Sequence, residues 1–234
     1  MNAMTPQSGQ VLEIRLHSDG QIGALIECPP EMLPSPGQYV QAHSLDNPDE
    51  VAPVSLFPSD FPSHSAVAKA AFVAGPPIPP SWQPGTVLYL RAPLGRGFAP
   101  QGSVKRLALA AIGISAARLL PLLDADAETA LFTDNLPDSI PVEVEVSPLS
   151  ALPDALGWPD FLAMDCPLER LPALPGLLGL EANSAPPCPT QILISTPMPC
   201  GALAECGVCA VPAVRGYKLA CKDGPVFDRG EIRF

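Results

Sequence analysis

Through residues 1 to about 100, apolar side chains recur with a period of two, the spacing that turns one face of a strand inward. Leu12, Ile14 and Leu16 alternate with Glu13, Arg15 and His17. Short apolar runs follow in QIGALIEC, GQYVQAH, AAFVAG and TVLYLRA, separated by turns rich in proline and glycine. This pattern predicts an antiparallel six-stranded barrel over residues 1–102. Beyond it the texture changes. RLALAAI is a continuous apolar run, SAARLLPLLDAD predicts a helix, and TALFTDN, VEVEVS, FLAMDC and QILIST read as further strands. Strands alternating with helices predict a parallel α/β sheet over residues 103–196. The prolines in PLERLPALPGLLGL make that crossover short or irregular, because proline lacks the N–H a helix needs.

The remaining segment, residues 197–234, carries the chemistry. Cys200, Cys206 and Cys209 fall within ten residues, and eleven residues separate Cys209 from Cys221. A [2Fe–2S] cluster needs four thiolates, and a loop that supplies three of them must wrap closely round the inorganic sulfides. Gly201, Ala202, Ala204 and Gly207 leave room for the wrap and let backbone N–H groups point inward. The same four thiols also suit a structural Cys₄ zinc site on a scaffold or binding module. Spacing alone leaves both open, although zinc ribbons pair two Cys-x₂-Cys knuckles and only Cys206 and Cys209 have that spacing.

Composition narrows the classes. The chain has 234 residues, 47% of them hydrophobic, enough to bury a sizeable core, and its net charge of −11 repels nucleic acid and anionic lipid. No apolar run approaches the roughly 20 residues that span a bilayer, and the N-terminal MNAMTPQSGQ lacks the features of a signal peptide. The expected location is the cytoplasm. Seven cysteines suit a metal site in a reducing compartment better than a secreted disulfide framework. Neither GxSxG nor GxxxxGK[ST] occurs, which sets aside hydrolysis and phosphoryl transfer.

The run GYKLACKDGPVF, after a Cys-Gly opening and a Cys-x₂-Cys pair, resembles the C-terminal cluster domain of the electron-transfer subunit of class B dihydroorotate dehydrogenase, within the ferredoxin–NADP reductase-like family. Pro36-Gly37-Gln38-Tyr39 is similar to the family's PGQ strand entry, and Pro93-Leu94-Gly95-Arg96-Gly97-Phe98 to its PLGxGF turn. The resemblance implies a flavin-binding-like barrel, a nucleotide-binding-like domain and a [2Fe–2S] domain ligated by Cys200, Cys206, Cys209 and Cys221. It also implies a flavoprotein dehydrogenase subunit as partner, a role in pyrimidine biosynthesis, and electron transfer as a component that is not catalytic alone. The flavin or nucleotide contacts it implies are Pro53, Val54, Ser55, Gly95, Gly97, Phe98 and Gly113.

The sequence also departs from the family. Five residues separate Cys200 from Cys206 where the family has four. Ala52 stands where an arginine would pair with the flavin pyrophosphate, and AGPPIPPSWQ replaces a phosphate-binding helix start. Only Gly113 remains of the glycine-rich turn, so FAD is left open as a cofactor and NAD(P) is disfavoured. Asp165-Cys166-Pro167 has lost the glycine of the family's Cys-Gly-Pro. Cys166 and Cys28 read as core thiols, Cys188 as an exposed thiol, and His17, His43 and His64 as solvated or hydrogen-bonded imidazoles.

Overall fold

The computed structural model describes residues 7–16, 22–45, 52–59, 70–75, 77–123, 126–136, 140–181 and 184–234; His17 and His64 lie outside them. Strands β1 (Gln7–Leu16), β2 (Ile22–Glu27), β3 (Tyr39–Ser44), β4 (Val54–Leu56), β5 (Ala71–Ala74) and β6 (Val87–Leu94) form an antiparallel sheet in the order β4-β3-β6-β1-β2-β5. It closes on itself just beyond β4. There Pro58 bridges Ala74, and the Ser59 N–H donates to Val73 O at 2.9 Å. Closure of this kind removes the exposed edges of an open sheet.

Alternation decides what fills the barrel. On β6, Leu88, Leu90 and Ala92 are buried inside while Tyr89 and Arg91 face outward, and on β3 Val40 and Ala42 point in while Tyr39 and Gln41 point out. The first strand breaks the expected pattern. Its register slips between Val11 and Glu13, a bulge that makes Val11 the buried residue and leaves Leu16 76% exposed.

The second sheet contains β7 (Arg106–Ala111), β8 (Glu128–Thr133), β9 (Glu145–Ser147), β10 (Phe161–Pro167) and β11 (Thr190–Ser195), all parallel. β12 (Ala210–Pro212) and β13 (Tyr217–Leu219) make a separate hairpin. The last strand, β14 (Val226–Asp228), runs antiparallel to β11, giving the order β14-β11-β10-β7-β8-β9. Buried on both faces, β10 is apolar throughout except for Asp165.

The helix expected over SAARLLPLLDAD is instead a 3-10 helix, Ala116–Leu122, with Pro121 inside it and Ser115 Oγ accepting from the Ala117 N–H at 3.3 Å. Pro121 removes one donor and crowds the preceding turn, so the tighter and shorter helix wins. The irregular crossover predicted before β11 is present as a 3-10 helix, Leu168–Ala173, and one α turn, Leu174–Leu177.

The barrel and the α/β sheet share a core in which Tyr39, Phe57, Leu94 and Phe98 pack with β7, β10 and β11. Gly95 sits at this junction with φ +72°. A Cβ there would lie 2.7 Å from Gly224 O and 2.9 Å from Tyr39 Cε1. Gly95→Ala is therefore expected to cost about 1–2 kcal/mol in left-handed backbone and about 1–3 kcal/mol in overpacking. Thermal unfolding checks this, and an unchanged midpoint would refute the close approach.

Candidate iron–sulfur centre

Two local structures gather the four cysteines of the C-terminal segment. The β12–β13 hairpin pairs Ala210 with Leu219, so Cys209 at its entry and Cys221 at its exit become neighbours. The Cys221 N–H points at Cys209 Sγ at 3.5 Å, and the Ala220 N–H donates to Cys209 O at 3.0 Å. The loop before the hairpin coils through left-handed residues: Gly201 (φ 57°), Ala202 (66°), Ala204 (61°) and Gly207 (68°). Left-handed alanines are strained and persist only where their surroundings hold them, a pattern typical of ligand-clamping loops.

That coil folds the backbone N–H groups of Ala204, Glu205 and Cys206 toward the Cys200 thiol. Burial acts to raise this thiol, but those donors outweigh it and bring it down to about 7. Cys206 is near enough to Cys200, and Cys221 to both Cys209 and Cys200, for each thiol to influence the ionisation of its neighbour. Cys221 is pushed up to about 12, by burial first and then by the neighbouring thiols, whose negative charges it would have to join. Among the described residues no group of three or more His, Cys, Asp or Glu is placed to hold a metal ion as the chain stands. What the structure shows is the proximity of the cysteines and the coil of the loop around Cys200. This donor set fits a thiolate-ligated cluster, with Cys209 and Cys221 buried and Cys206 exposed.

The barrel supports the loop from beneath. Tyr39 Oη donates to Cys221 O at 2.9 Å, and Gln41 Nε2 donates to Met198 O at 3.0 Å and to Ser55 Oγ at 2.7 Å. Gln41 Oε1 is buried with no hydrogen-bond partner among the described residues.

Residues 196–233 match the model of the iron–sulfur cluster binding domain of dihydroorotate dehydrogenase B. No curated protein sequence matches the chain. A solved structure of the NADH-dependent reduced ferredoxin-NADP oxidoreductase, described for flavin-based electron bifurcation, has 17% identity and a TM-score of 0.69 over 99% of this chain and 91% of its own. Phthalate dioxygenase reductase, described as a modular structure for electron transfer from pyridine nucleotides to [2Fe–2S], has 10% identity and a TM-score of 0.52 over 92% and 94%. The flavohem-like FAD/NAD binding domain of nitric oxide dioxygenase from Vibrio cholerae O1 biovar El Tor has 13% identity and a TM-score of 0.54 over 82% and 99%. These structures share the fold of a barrel followed by a parallel α/β sheet.

The cluster domain is tied to the rest of the chain by charges as well. Arg96, on the turn after β6, pairs with Asp228 and, at 2.9 Å, with Glu231, which also accepts from Lys218 Nζ at 2.6 Å. Burial works to raise both carboxyls. Hydrogen bonds from Gln191 and Arg96 to Asp228, and from Lys218 to Glu231, prevail and hold both below their ordinary values. Depressed carboxyls contribute stability that is complete above their unfolded values of 3.8 and 4.5 and is lost as pH falls through the folded ones. Arg96→Ala is expected to cost about 1 kcal/mol at neutral pH, since the side chains of Arg96 and Asp228 are 38% and 49% exposed. That difference should shrink as pH falls below 3.8 and through the folded values. A difference that persisted in acid would show that Arg96 acts through packing.

The other sequence-derived candidates have distinct places. Gly97 and Phe98 serve the junction, where a Cβ on Gly97 would lie 2.6 Å from Pro36 O and the Phe98 ring packs against Gly37. Val54 and Ser55 lie on β4 with Pro53 just before it, and Ser55 reaches the cluster loop only through Gln41. Gly113, with φ 71°, ends the turn after β7 near Arg170. Ala52 offers no cation, and the proline-rich segment buries Ile78 and Trp82 in the barrel core. These residues do not fit a flavin pyrophosphate. Cys166 is fully buried and pushed up to about 12, by desolvation first, and Cys28 is pushed up to about 11 in the same way. Cys188 is half-buried beside Thr190, and His43 lies against the Tyr89 ring at 5.1 Å.

One constellation went unread in the sequence. The chain leaves β7 for β8 on one side and later returns to β10 on the other, so the switch point of the sheet lies between the carboxyl ends of β7 and β10. Asp165 is fully buried there. Arg118 holds it with two hydrogen bonds, of 2.8 and 2.7 Å, reaches Ser195 Oγ at 3.0 Å and lies 5.1 Å over the Phe57 ring of the barrel. The chain thus fills with its own guanidinium the crevice where α/β sheets receive nucleotides. Asp165, standing at the first position of the family's Cys-Gly-Pro, was the available signal.

Proposed function

We propose that the chain is an electron-transfer component of an oxidoreductase, with Cys200, Cys206, Cys209 and Cys221 holding a [2Fe–2S] cluster. The observation that carries this reading is the hairpin that sets Cys221 beside Cys209, with Cys200 and Cys206 on the left-handed loop leading into it, all within the segment that matches the cluster domain. Bound there, the cluster accepts and releases one electron at a time. The chain's residues position it. The hairpin fixes Cys209 and Cys221, the left-handed loop aims N–H groups at the Cys200 sulfur, and Tyr39 and Gln41 lock the loop to the barrel.

The partner we propose is a flavoprotein dehydrogenase subunit of the dihydroorotate dehydrogenase kind, in pyrimidine biosynthesis. Leu203, Val208, Val214 and Tyr217 are exposed on the cluster segment, and apolar side chains left in water there suit a docking face. The residue ranges 1–102, 103–196 and 197–234 are proposed as barrel, nucleotide-binding-like and cluster units. The outer barrel face at Pro53, Val54 and Ser55 is the proposed contact for an isoalloxazine ring. Seven unpaired thiols support the cytoplasm as the compartment. No helix among the described residues is long and apolar enough to cross a membrane.

Anaerobic purification, with iron, zinc and flavin assayed on the sample whose visible spectrum is recorded before and after dithionite, tests the reading. About two irons per chain and a bleachable spectrum are expected. Zinc without colour would replace it with a structural metal site.

A further inference from the structure

Arg91 is the cation that the barrel presents to the cluster loop, and nothing in the motif reading assigned it a role. It sits on the outward face of β6 in direct register with Gln41 of β3, which is in turn in register with Ser55 of β4. Gln41 holds Met198 O, two residues before Cys200, and a Cβ built on Gly201 would lie 3.2 Å from Arg91 Nη1 and 3.5 Å from Gln41 Cγ. The guanidinium thus abuts the backbone of the residue that follows the first cysteine. Among the described residues no carboxylate pairs with Arg91, whereas Arg96, Arg106 and Arg118 each form an ion pair.

Resting on the cluster reading above, we propose that Arg91 is a positioning residue whose charge sets the reduction potential of the cluster. Reduction adds one electron, and so one negative charge, to a group that is already anionic with its four thiolates. A fixed cation at the loop stabilises the reduced state more than the oxidised one and raises the midpoint. Hydrogen bonding and local charge are the levers by which proteins tune such centres. A side chain at Gly201 would crowd the guanidinium, since its Cβ would lie 3.2 Å from Arg91 Nη1.

The test is a dithionite titration, with redox mediators and optical detection, of the intact protein and of Arg91→Gln, Arg91→Lys and Arg91→Met. The neutral variants are expected to titrate at a more negative potential. A tenfold loss in the one-electron equilibrium corresponds to about 59 mV. Arg91→Lys should recover most of the wild-type value, which a role in packing alone would not require. Arg91→Met keeps the stem against the strand and supplies the same readout if Arg91→Gln loses its iron. Full iron content with an unchanged midpoint in a neutral variant would overturn the inference and leave the cluster reading intact. A wild-type protein without bleachable iron absorbance would overturn the cluster reading itself, and this inference with it.

Discussion

Asp165→Ala is expected to lower the unfolding free energy by about 3–5 kcal/mol, the usual cost of leaving a buried charge without its partner. Asp165 is 0% exposed and the Arg118 side chain 16%, so little water is available to take over the ion pair. The loss should also loosen the barrel against the α/β sheet, because the guanidinium that Asp165 orients lies over Phe57. Denaturant titration measures the cost, and Asp165→Ala combined with Arg118→Met should recover part of it by removing the orphaned charge. An unshifted midpoint for Asp165→Ala would refute the structural weight given to the pair. The pH dependence runs opposite to that of Asp228 and Glu231. Burial pushes Asp165 up to about 6 against the pull of Arg118, so its contribution is greatest below the unfolded value of 3.8 and declines as pH rises through 6.

Cys221→Ser is expected to take iron from about two atoms per chain to nearly none, because a four-thiolate cluster that loses one soft ligand to a weakly coordinating hydroxyl is not retained. Cys221 is the most demanding position of the four, buried at the hairpin exit with its N–H on Cys209 Sγ. Cys28→Ser should leave iron unchanged, since Cys28 lies in the barrel core. Metal analysis and the visible spectrum of both variants check the pair of expectations. Full iron in Cys221→Ser would sink the ligand assignment.

The fold was legible where periodicity was unbroken. The Val87–Leu94 strand alternates strictly, and its burial follows letter by letter. Reading failed where one residue resets the phase, as at the β1 bulge, where Leu12 yields the interior to Val11, and where Pro121 turns an expected α-helix into a 3-10 one. The four C-terminal cysteines stand out in the sequence because they crowd along the chain, and the hairpin that sets Cys221 beside Cys209 lies within that crowded stretch. Arg118 and Asp165 are 47 residues apart, as Gln41 and Met198 are separated by 157, and no local spacing announces such partners. Gly95 lies in a motif whose resemblance implies a cofactor contact, and in the structure its missing side chain also makes room for Gly224 O.

The β14 strand has a consequence for how the polypeptide matures on the ribosome. It comes after the cysteine loop and its hairpin, yet it completes the pairing of β11 and bridges back through Pro225 to Arg96 of the barrel. Both sheets therefore wait for this strand before their shared core is sealed, and the barrel and the parallel sheet are expected to finish folding together rather than one after the other during translation. A nascent chain halted before Val226 would expose the bare edge of β11, with Ile192 and Leu193 beside it, as a template for pairing with a second copy.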